Sequence, residues 1–228
     1  MKKIVVLSGA GISAESGIKT FRDANGLWEG HDVMEVASPI GWDNNPALVL
    51  DFYNQRRKQL PTVLPNKAHY ALAELDTEFH VSIVTQNVDN LHERAGSKNI
   101  VHLHGELLKM RSTIDENLIY PCKDDIKMGD RCEKNSQLRP HIVWFGEAVP
   151  MMEKAMMVVD QADILMIVGT SMQVYPAAGL VHYARHSTPV YFIDPNPSVS
   201  ENDYPNLKII PEKATVGIPI VISLLTGS

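Results

Sequence analysis

The chain has 228 residues, 44% hydrophobic and 21% charged, which suits one domain with a sizeable core and is ordinary for a globular enzyme. A formal net charge of −6 argues against nucleic acid or an anionic membrane as a partner, because like charges repel. Two cysteines argue against a disulfide framework, and no run approaches the ~18 apolar residues that a membrane helix needs.

Met1-Lys2-Lys3 ahead of the apolar run 4–7 imitates the start of a signal peptide. The run is too short for one, so a cytoplasmic location is expected. Residues 4–7 read instead as a buried strand that stops at a glycine turn. Gly9-Ala10-Gly11-Ile12-Ser13-Ala14 then fits G-x-G-x-x-A. In that pattern the first Gly permits a tight turn, and the second lets backbone N–H groups approach a pyrophosphate at a helix N-terminus. Strand-to-helix junctions also use two glycines for packing alone. An ordinary dinucleotide-binding unit continues through a helix and a second strand to a ribose-binding acid. Here the polar segment 19–28 interrupts, a loop with one Arg (Arg22) and two aromatics (Phe21 and Trp28) that is suited to covering a cofactor.

From Asp32 to Leu60 the pattern is helical, and residues 46–60 carry Pro46 near the start of a helix and Pro61 just past its end. Asn66 caps a helix over residues 67–75, with Ala68, Ala71, Leu72 and Leu75 on one face. Residues 80–85 read as a strand leading into the polar stretch 86–92, and residues 100–103 as a third strand running into His104-Gly105-Glu106. Residues 110–139 are polar, turn-rich and without clear periodicity, the mark of an inserted module, and residues 140–147 are extended again. A helix over 151–160 follows, its four methionines serving as core filler. Residues 163–168 form the clearest buried strand, ending at Gly169-Thr170-Ser171. A helix over 177–185 and a strand over 189–193 complete another β-α-β unit. A last helix covers 215–225, its start blurred by Gly217 and Pro219. The alternation predicts one α/β domain: a Rossmann-like parallel sheet covered by helices on both faces, with a smaller lobe built from two insertions, roughly 20–60 and 105–140. Ligands belong at the carboxyl ends of such strands.

Gly9-Ala10-Gly11-Ile12-Ser13, Glu15-Ser16-Gly17-Ile18 and Phe21-Arg22 resemble the N-terminal signature of the sirtuins, NAD-dependent protein deacylases, with Lys19 where that family usually has Pro. Thr85-Gln86-Asn87-Val88-Asp89-Asn90-Leu91-His92 resembles the sirtuin T-Q-N-x-D-x-L-H. From the residues alone it is either a set of amides and carboxylates able to bind a carboxamide or a polar loop with an Asn or Asp helix cap. Residues 138–147 resemble L-R-P-x-V-V-W-F-G-E, and Gly169-Thr170-Ser171 the family's G-T-S. The likeness runs from residue 4 to 225 through six ordered motifs.

The resemblance implies NAD as cofactor and acyl-lysine proteins or peptides as partners. The cofactor contacts it implies are Gly9, Ala10, Gly11, Ser13, Glu15, Phe21, Arg22, Trp28, Gln86, Asn87, Asp89, Gly169, Thr170, Ser171, Asp194 and Ala214. Among these Asn87 and Asp89 line the nicotinamide pocket and Gln86 contacts the ribose. Asp194 or Asn196 takes the adenosine side, and Lys213 stands where a Gly usually precedes Ala214. The catalytic pair is His104, in the family's H-G, with Asn87; His102 is structural. In the implied mechanism the acyl-lysine carbonyl oxygen attacks the nicotinamide ribose C1′ and nicotinamide leaves. His104 is then general base on the ribose hydroxyls, giving O-acyl-ADP-ribose, a task suited to an imidazole of ordinary pKa near ~6.5. Val143, Phe145, Gly146 and Glu147 bind the peptide by strand addition, or the segment is a core strand anchored by Trp144 and Phe145. ADP-ribosyl transfer and non-catalytic NAD sensing are the alternatives. A nicotinamide dehydrogenase would need the ribose-binding acid that the Phe21-Arg22 loop displaces.

Two details refine that expectation. The family's structural zinc uses two cysteine pairs, but the first pair would fall near residues 111–115, which hold no Cys, so no metal is expected; Cys132 keeps at most one position of the second. Tyr53 and Arg56, at i and i+3, share a helix face and can converge on a carboxylate, which a guanidinium binds with two parallel bonds. Alternatively Tyr53 packs and Arg56 joins Arg57 and Lys58 on a wet face. The pair resembles the Y-x-x-R signature of desuccinylase and demalonylase sirtuins, which implies succinyl- or malonyl-lysine ahead of acetyl-lysine.

Overall fold

The computed structural model describes residues 1–19 and 27–227, so the expected cofactor contacts Phe21 and Arg22 lie outside the described residues. The first strand, β1 (Lys3–Ser8), leads into a short helix, α1 (Ala10–Ala14). After it come a hairpin of β2 (Leu27–Trp28) and β3 (His31–Asp32) and three helices, α2 (Val33–Val36), α3 (Pro39–Asn44) and α4 (Pro46–Gln59). Side-chain caps start all three: Asp32 Oδ1 accepts from Met34 N at 2.7 Å, Ser38 Oγ from Gly41 N at 2.9 Å and Asn45 Oδ1 from Leu48 N at 3.1 Å, the last two followed by a proline in the first turn. Next are α5 (Lys67–Leu75), capped by Asn66, then β4 (His80–Thr85), α6 (Leu91–Ala95) and β5 (Ile100–His102). Three further strands, β6 (Gly105–Ser112), β7 (Ile119–Pro121) and β8 (Leu138–Ile142), precede α7 (Met152–Asp160) and β9 (Ile164–Val168). A 3₁₀ segment (Ala177–Tyr183), β10 (Val190–Ile193), β11 (Leu207–Ile210) and α8 (Ala214–Thr226) complete the order.

Six strands form one sheet in the order β11-β10-β9-β1-β4-β5, with every pairing parallel. Successive side chains of β1 serve opposite layers. Ile4 and Val6 pack with Leu72 of α5 and Ile218 of α8, whereas Val5 and Leu7 pack with Val159 of α7 and Leu180. Burial on both faces is why the strand reads as an unbroken apolar run. Ser8 is level with Thr85 on one side and Val168 on the other, so the chain leaves β1, β4 and β9 at one height. The strand order reverses at β1, which makes that edge the natural ligand crevice.

The smaller lobe joins the two insertions. Val49, Phe52 and Tyr53 of α4 share a core with Leu107, Ile142 and Trp144, and Leu50 shares another with Cys122, Ile126, Cys132 and Leu138. Asn54 grips the main chain of Ile126 from both sides, donating to its oxygen at 2.9 Å and accepting from its nitrogen at 3.0 Å. Arg57 donates to Leu107 O at 2.9 Å and to Asn54 Oδ1 at 2.7 Å. Among the described residues no group of three His, Cys, Asp or Glu is arranged to hold a metal ion.

Three expectations change and a fourth is sharpened. Residues 110–139, expected without periodicity, lie in a segment that carries the antiparallel sheet β7-β6-β8, whose alternation is hidden by a break in register between Gly105 and Met110 and by a three-residue edge strand. The expected helix over 177–185 is a 3₁₀ segment ending at Tyr183, with Gly179 inside it. β11 was not anticipated: it is four residues long, and only its ends are buried. The last helix starts at Ala214 despite Gly217 and Pro219, because Glu15 accepts from both Thr215 N (3.1 Å) and Thr215 Oγ1 (2.7 Å). Gly217 is needed there, since a Cβ would run into the side chain of Ile193.

Candidate active site

A cavity of about 760 Å³, within the ~300–1,000 Å³ usual for ligand pockets, lies at the carboxyl ends of the parallel strands and reaches under the smaller lobe. Every expected site residue among the described ones lines it: the β1–α1 turn, residues 86–89, His104, the ends of β9 and β10, Ala214, and on the lobe side Tyr53, Arg56 and residues 143–147. Asp194 and Asn196 both line it; Asp194 is buried, and its Oδ1 accepts from Asn196 N at 2.9 Å.

At the sheet end a buried polar chain is laid out by the turn after β4. Thr85 Oγ1 accepts from Asn87 N at 3.0 Å, Asn87 Nδ2 donates to Ser13 Oγ at 3.1 Å, and Ser13 Oγ donates to Asp89 Oδ2 at 3.0 Å. The other carboxylate oxygen of Asp89 accepts from Leu91 N, at the first residue of α6, at 3.0 Å. Burial pushes the Asp89 carboxyl above its ordinary range, against the two hydrogen bonds that favour its charged form. An amide and a carboxyl held together supply the donor and acceptor that a carboxamide needs.

The glycine turn works differently from the phosphate cradle its pattern suggests. The N–H of Gly9 donates to Val168 O at 3.0 Å and that of Gly11 to Gly169 O at 2.8 Å, so both amides are already spent. A Cβ on Gly11 would stand 2.6 Å from Gly169 Cα, and one on Gly9 2.7 Å from Thr170 Cβ. The glycines let the β1 and β9 turns touch, and Gly169 meets that contact with φ of +61°.

Two histidines brace the neighbouring loop. His104 Nδ1 lies 3.1 Å from Gln86 O. A carbonyl only accepts, so Nδ1 carries the proton and Nε2 is left basic. Burial lowers the pKa of His104, and the bond to Gln86 opposes it. His102 bonds Glu93 Oε1 at 2.6 Å through Nε2 and Asn87 O at 3.3 Å through Nδ1. Burial works against its charge, but the Glu93 pair raises its pKa overall.

At the lobe end, Tyr53 and Arg56 both face the cavity from α4. Tyr53 is fully buried and its phenol pKa is raised by desolvation. Arg56 is half-buried; its Nη1 donates to Phe52 O at 3.2 Å, its guanidinium carbon sits 4.2 Å from the centre of the Phe52 ring, and its Nε has no partner among the described residues. No carboxylate forms an ion pair with it among the described residues. Glu147 turns inward, accepting from Arg139, Arg111 and the amide of Trp144. The amides of Val143, Phe145 and Glu147 are likewise spent on His104 O, Ala37 O and Trp144 O. A peptide laid along this segment therefore meets main-chain oxygens rather than a full ladder. Gln59, one turn beyond Arg56, also lines the cavity and was not anticipated, although its i+3 spacing from Arg56 was the signal for it.

Residues 9–176 match the model of the Sir2 family. A protein of Helicobacter pylori named NAD-dependent protein deacylase is 65% identical over 195 residues, 86% of this chain and 85% of its own length. A Sir2 homolog–NAD complex superposes with a TM-score of 0.88 at 36% identity, covering 99% of this chain and 90% of the other. A Sir2 protein bound to an acetylated peptide superposes at 0.82 with 27% identity, covering 99% of this chain and 94% of its own. The chain belongs to the Sir2 family, the sirtuins.

Proposed function

We propose that the chain removes acidic acyl groups, succinyl and malonyl ahead of acetyl, from lysines of proteins. The coarser activity follows from its family: the chain is an NAD-dependent protein deacylase. The residues at the sheet end fit NAD, because the cavity volume suits a cofactor and the Asn87–Ser13–Asp89 chain offers both partners of a carboxamide. When bound, NAD supplies the ribose that receives the acyl group. Asn87, Ser13 and Asp89 hold the carboxamide end. His104, with Nδ1 engaged by Gln86, takes a ribose hydroxyl proton at Nε2. Residues 143–146 carry the substrate peptide. Both cysteines are free thiols, which accords with a reducing, cytoplasmic compartment.

One observation carries the acidic preference: Tyr53 and Arg56 line the same cavity as His104, and among the described residues no carboxylate is paired with Arg56. A partly desolvated guanidinium without a counter-ion favours a ligand that brings one. An acetyl group leaves that charge unpartnered. The test is kcat/KM of the purified protein on one peptide sequence carrying either succinyl- or acetyl-lysine, at saturating NAD. A succinyl preference of about tenfold or more is expected from a charge-assisted pair. Equal values, or a preference for acetyl, would refute the proposal.

A further inference from the structure

Trp144 lines the cavity within the segment 143–147, and its indole is held from several sides. Its amide donates to Glu147 Oε2 at 2.8 Å, the guanidinium carbon of Arg139 lies 3.2 Å from its ring centre, and the Trp42 ring stands 5.6 Å away. Arg139 is itself fixed by Glu147 at 2.7 and 3.1 Å and by Ile142 O at 3.0 Å. The ring is 2% exposed. From this position Nε1 donates to Tyr53 Oη at 3.1 Å. An indole nitrogen can only donate. A phenol oxygen has one proton to give and, with its other electron pair delocalised into the ring, one good direction in which to accept.

We propose that Trp144 is a specificity-setting positioning residue: its N–H fills the accepting side of the Tyr53 hydroxyl, so the phenol meets the acyl group only as a donor. The inference rests on the acidic-acyl reading above and deepens it. With Tyr53 restricted to donating and Arg56 carrying only donors, these two side chains meet an incoming acyl group with N–H and O–H groups alone. A carboxylate, which only accepts, satisfies all of them. A terminal carboxamide of the same shape turns an NH2 toward donors and is rejected on hydrogen-bond polarity as well as on charge. Burial, which keeps the phenol protonated, works in the same direction.

The test compares peptides bearing acetyl-, succinyl- and succinamyl-lysine, the last being the carboxamide isostere of the second, in the wild type, Trp144→Phe, Tyr53→Phe and the double variant. Loss of one neutral hydrogen bond predicts that Trp144→Phe lowers both the succinyl-to-acetyl and the succinyl-to-succinamyl ratios of kcat/KM by about three- to tenfold, through KM on the succinyl peptide. In the Tyr53→Phe background the same substitution should leave both ratios unmoved. Unchanged ratios in Trp144→Phe, or the same drop with Tyr53 already replaced, would overturn the inference. If Trp144→Phe does not fold, replacing the tryptophans with benzothienylalanine keeps their shape, removes the N–H and is read by the same ratios. Absence of any wild-type preference for succinyl over acetyl defeats the acidic-acyl reading itself. A wild-type preference that survives loss of the indole N–H defeats only the role of Trp144.

Discussion

His104 Nδ1 donates to the main-chain oxygen of Gln86 across 3.1 Å, so the loop that borders the carboxamide end also sets the tautomer of the candidate base. Burial keeps that imidazole below its ordinary pKa of 6.5, and Nε2 is therefore unprotonated at neutral pH. A base works in its deprotonated form, so the rate is flat above this pKa and falls as pH drops through it. The acid limb of kcat/KM is expected to bend below pH 6.5, and His104→Ala to cost about 10²–10⁴-fold in acyl-peptide-dependent nicotinamide release. A bend at or above the ordinary value, or near-normal turnover in the variant, would remove His104 from this role.

His69 and His92 form a second buried pair, their rings 4.9 Å apart and almost inaccessible, with His69 Nε2 and His92 Nδ1 lacking partners. Desolvation lowers their pKa values to about 4 and about 3. In the unfolded chain both return to about 6.5. Below that pH the unfolded state binds protons that the folded state refuses, so stability is complete above about pH 6.5 and is lost as pH falls toward the folded values. His102, raised by Glu93, works in the opposite sense, but it is one histidine against four, because burial lowers His104 and His141 as well. The thermal midpoint should fall between pH 6.5 and 4.5, and His69→Gln, which can still accept from the Asn66 amide, should make that slope shallower. A midpoint that holds or rises on acidification would contradict this.

The parallel sheet was legible because β1, β4 and β9 are buried on both faces and announce themselves as apolar runs, and because Pro46 and Asn66 mark the starts of helices where their positions predict. The site was legible because its residues sit in loops directly after those strands. The lobe was not. β7 is three residues long and β6 breaks register against β8, and part of what fastens this lobe to α4 is a pair of polar side chains, Asn54 and Arg57, that carry no periodic signal. The use of Gly9 and Gly11 was ambiguous for a related reason. A glycine pattern is the same whether the approaching backbone belongs to a phosphate cradle or, as here, to the turn after β9.

That polar clamp predicts how the lobe is stabilised. Asn54 satisfies both main-chain groups of Ile126, and Cys122 and Cys132 are buried thiols in an apolar cluster. Asn54→Ala leaves a buried donor and a buried acceptor unpaired, which costs about 2–6 kcal/mol at ~1–3 kcal/mol per group. Denaturant unfolding should register that loss, whereas a chelator should leave the wild-type midpoint unchanged and elemental analysis should find no zinc. A chelator-induced drop in midpoint would mean that a metal, not Asn54, is the lobe's main fastening.

Arg56 supplies the most selective prediction. Its guanidinium is half-buried against Phe52, and the carboxylates nearest in effect, Glu29 and Asp51, act on it without forming an ion pair. Lys19 engages Glu29 at 3.2 Å, and Gln55 bonds Asp51 at 2.7 Å, so both acids are occupied elsewhere. An acidic acyl group entering beside Tyr53 is then the counter-ion that the described residues do not give the guanidinium. Truncating one member of a buried charged pair costs about 2–5 kcal/mol, which is roughly 30- to several-thousand-fold in kcat/KM. Arg56→Met keeps the length and apolar stem of the side chain and removes only the charged head. Its succinyl-to-acetyl ratio should collapse by that factor, chiefly through loss on the succinyl peptide. An equal loss on both peptides would instead make Arg56 a structural residue of the lobe, with no part in choosing the acyl group.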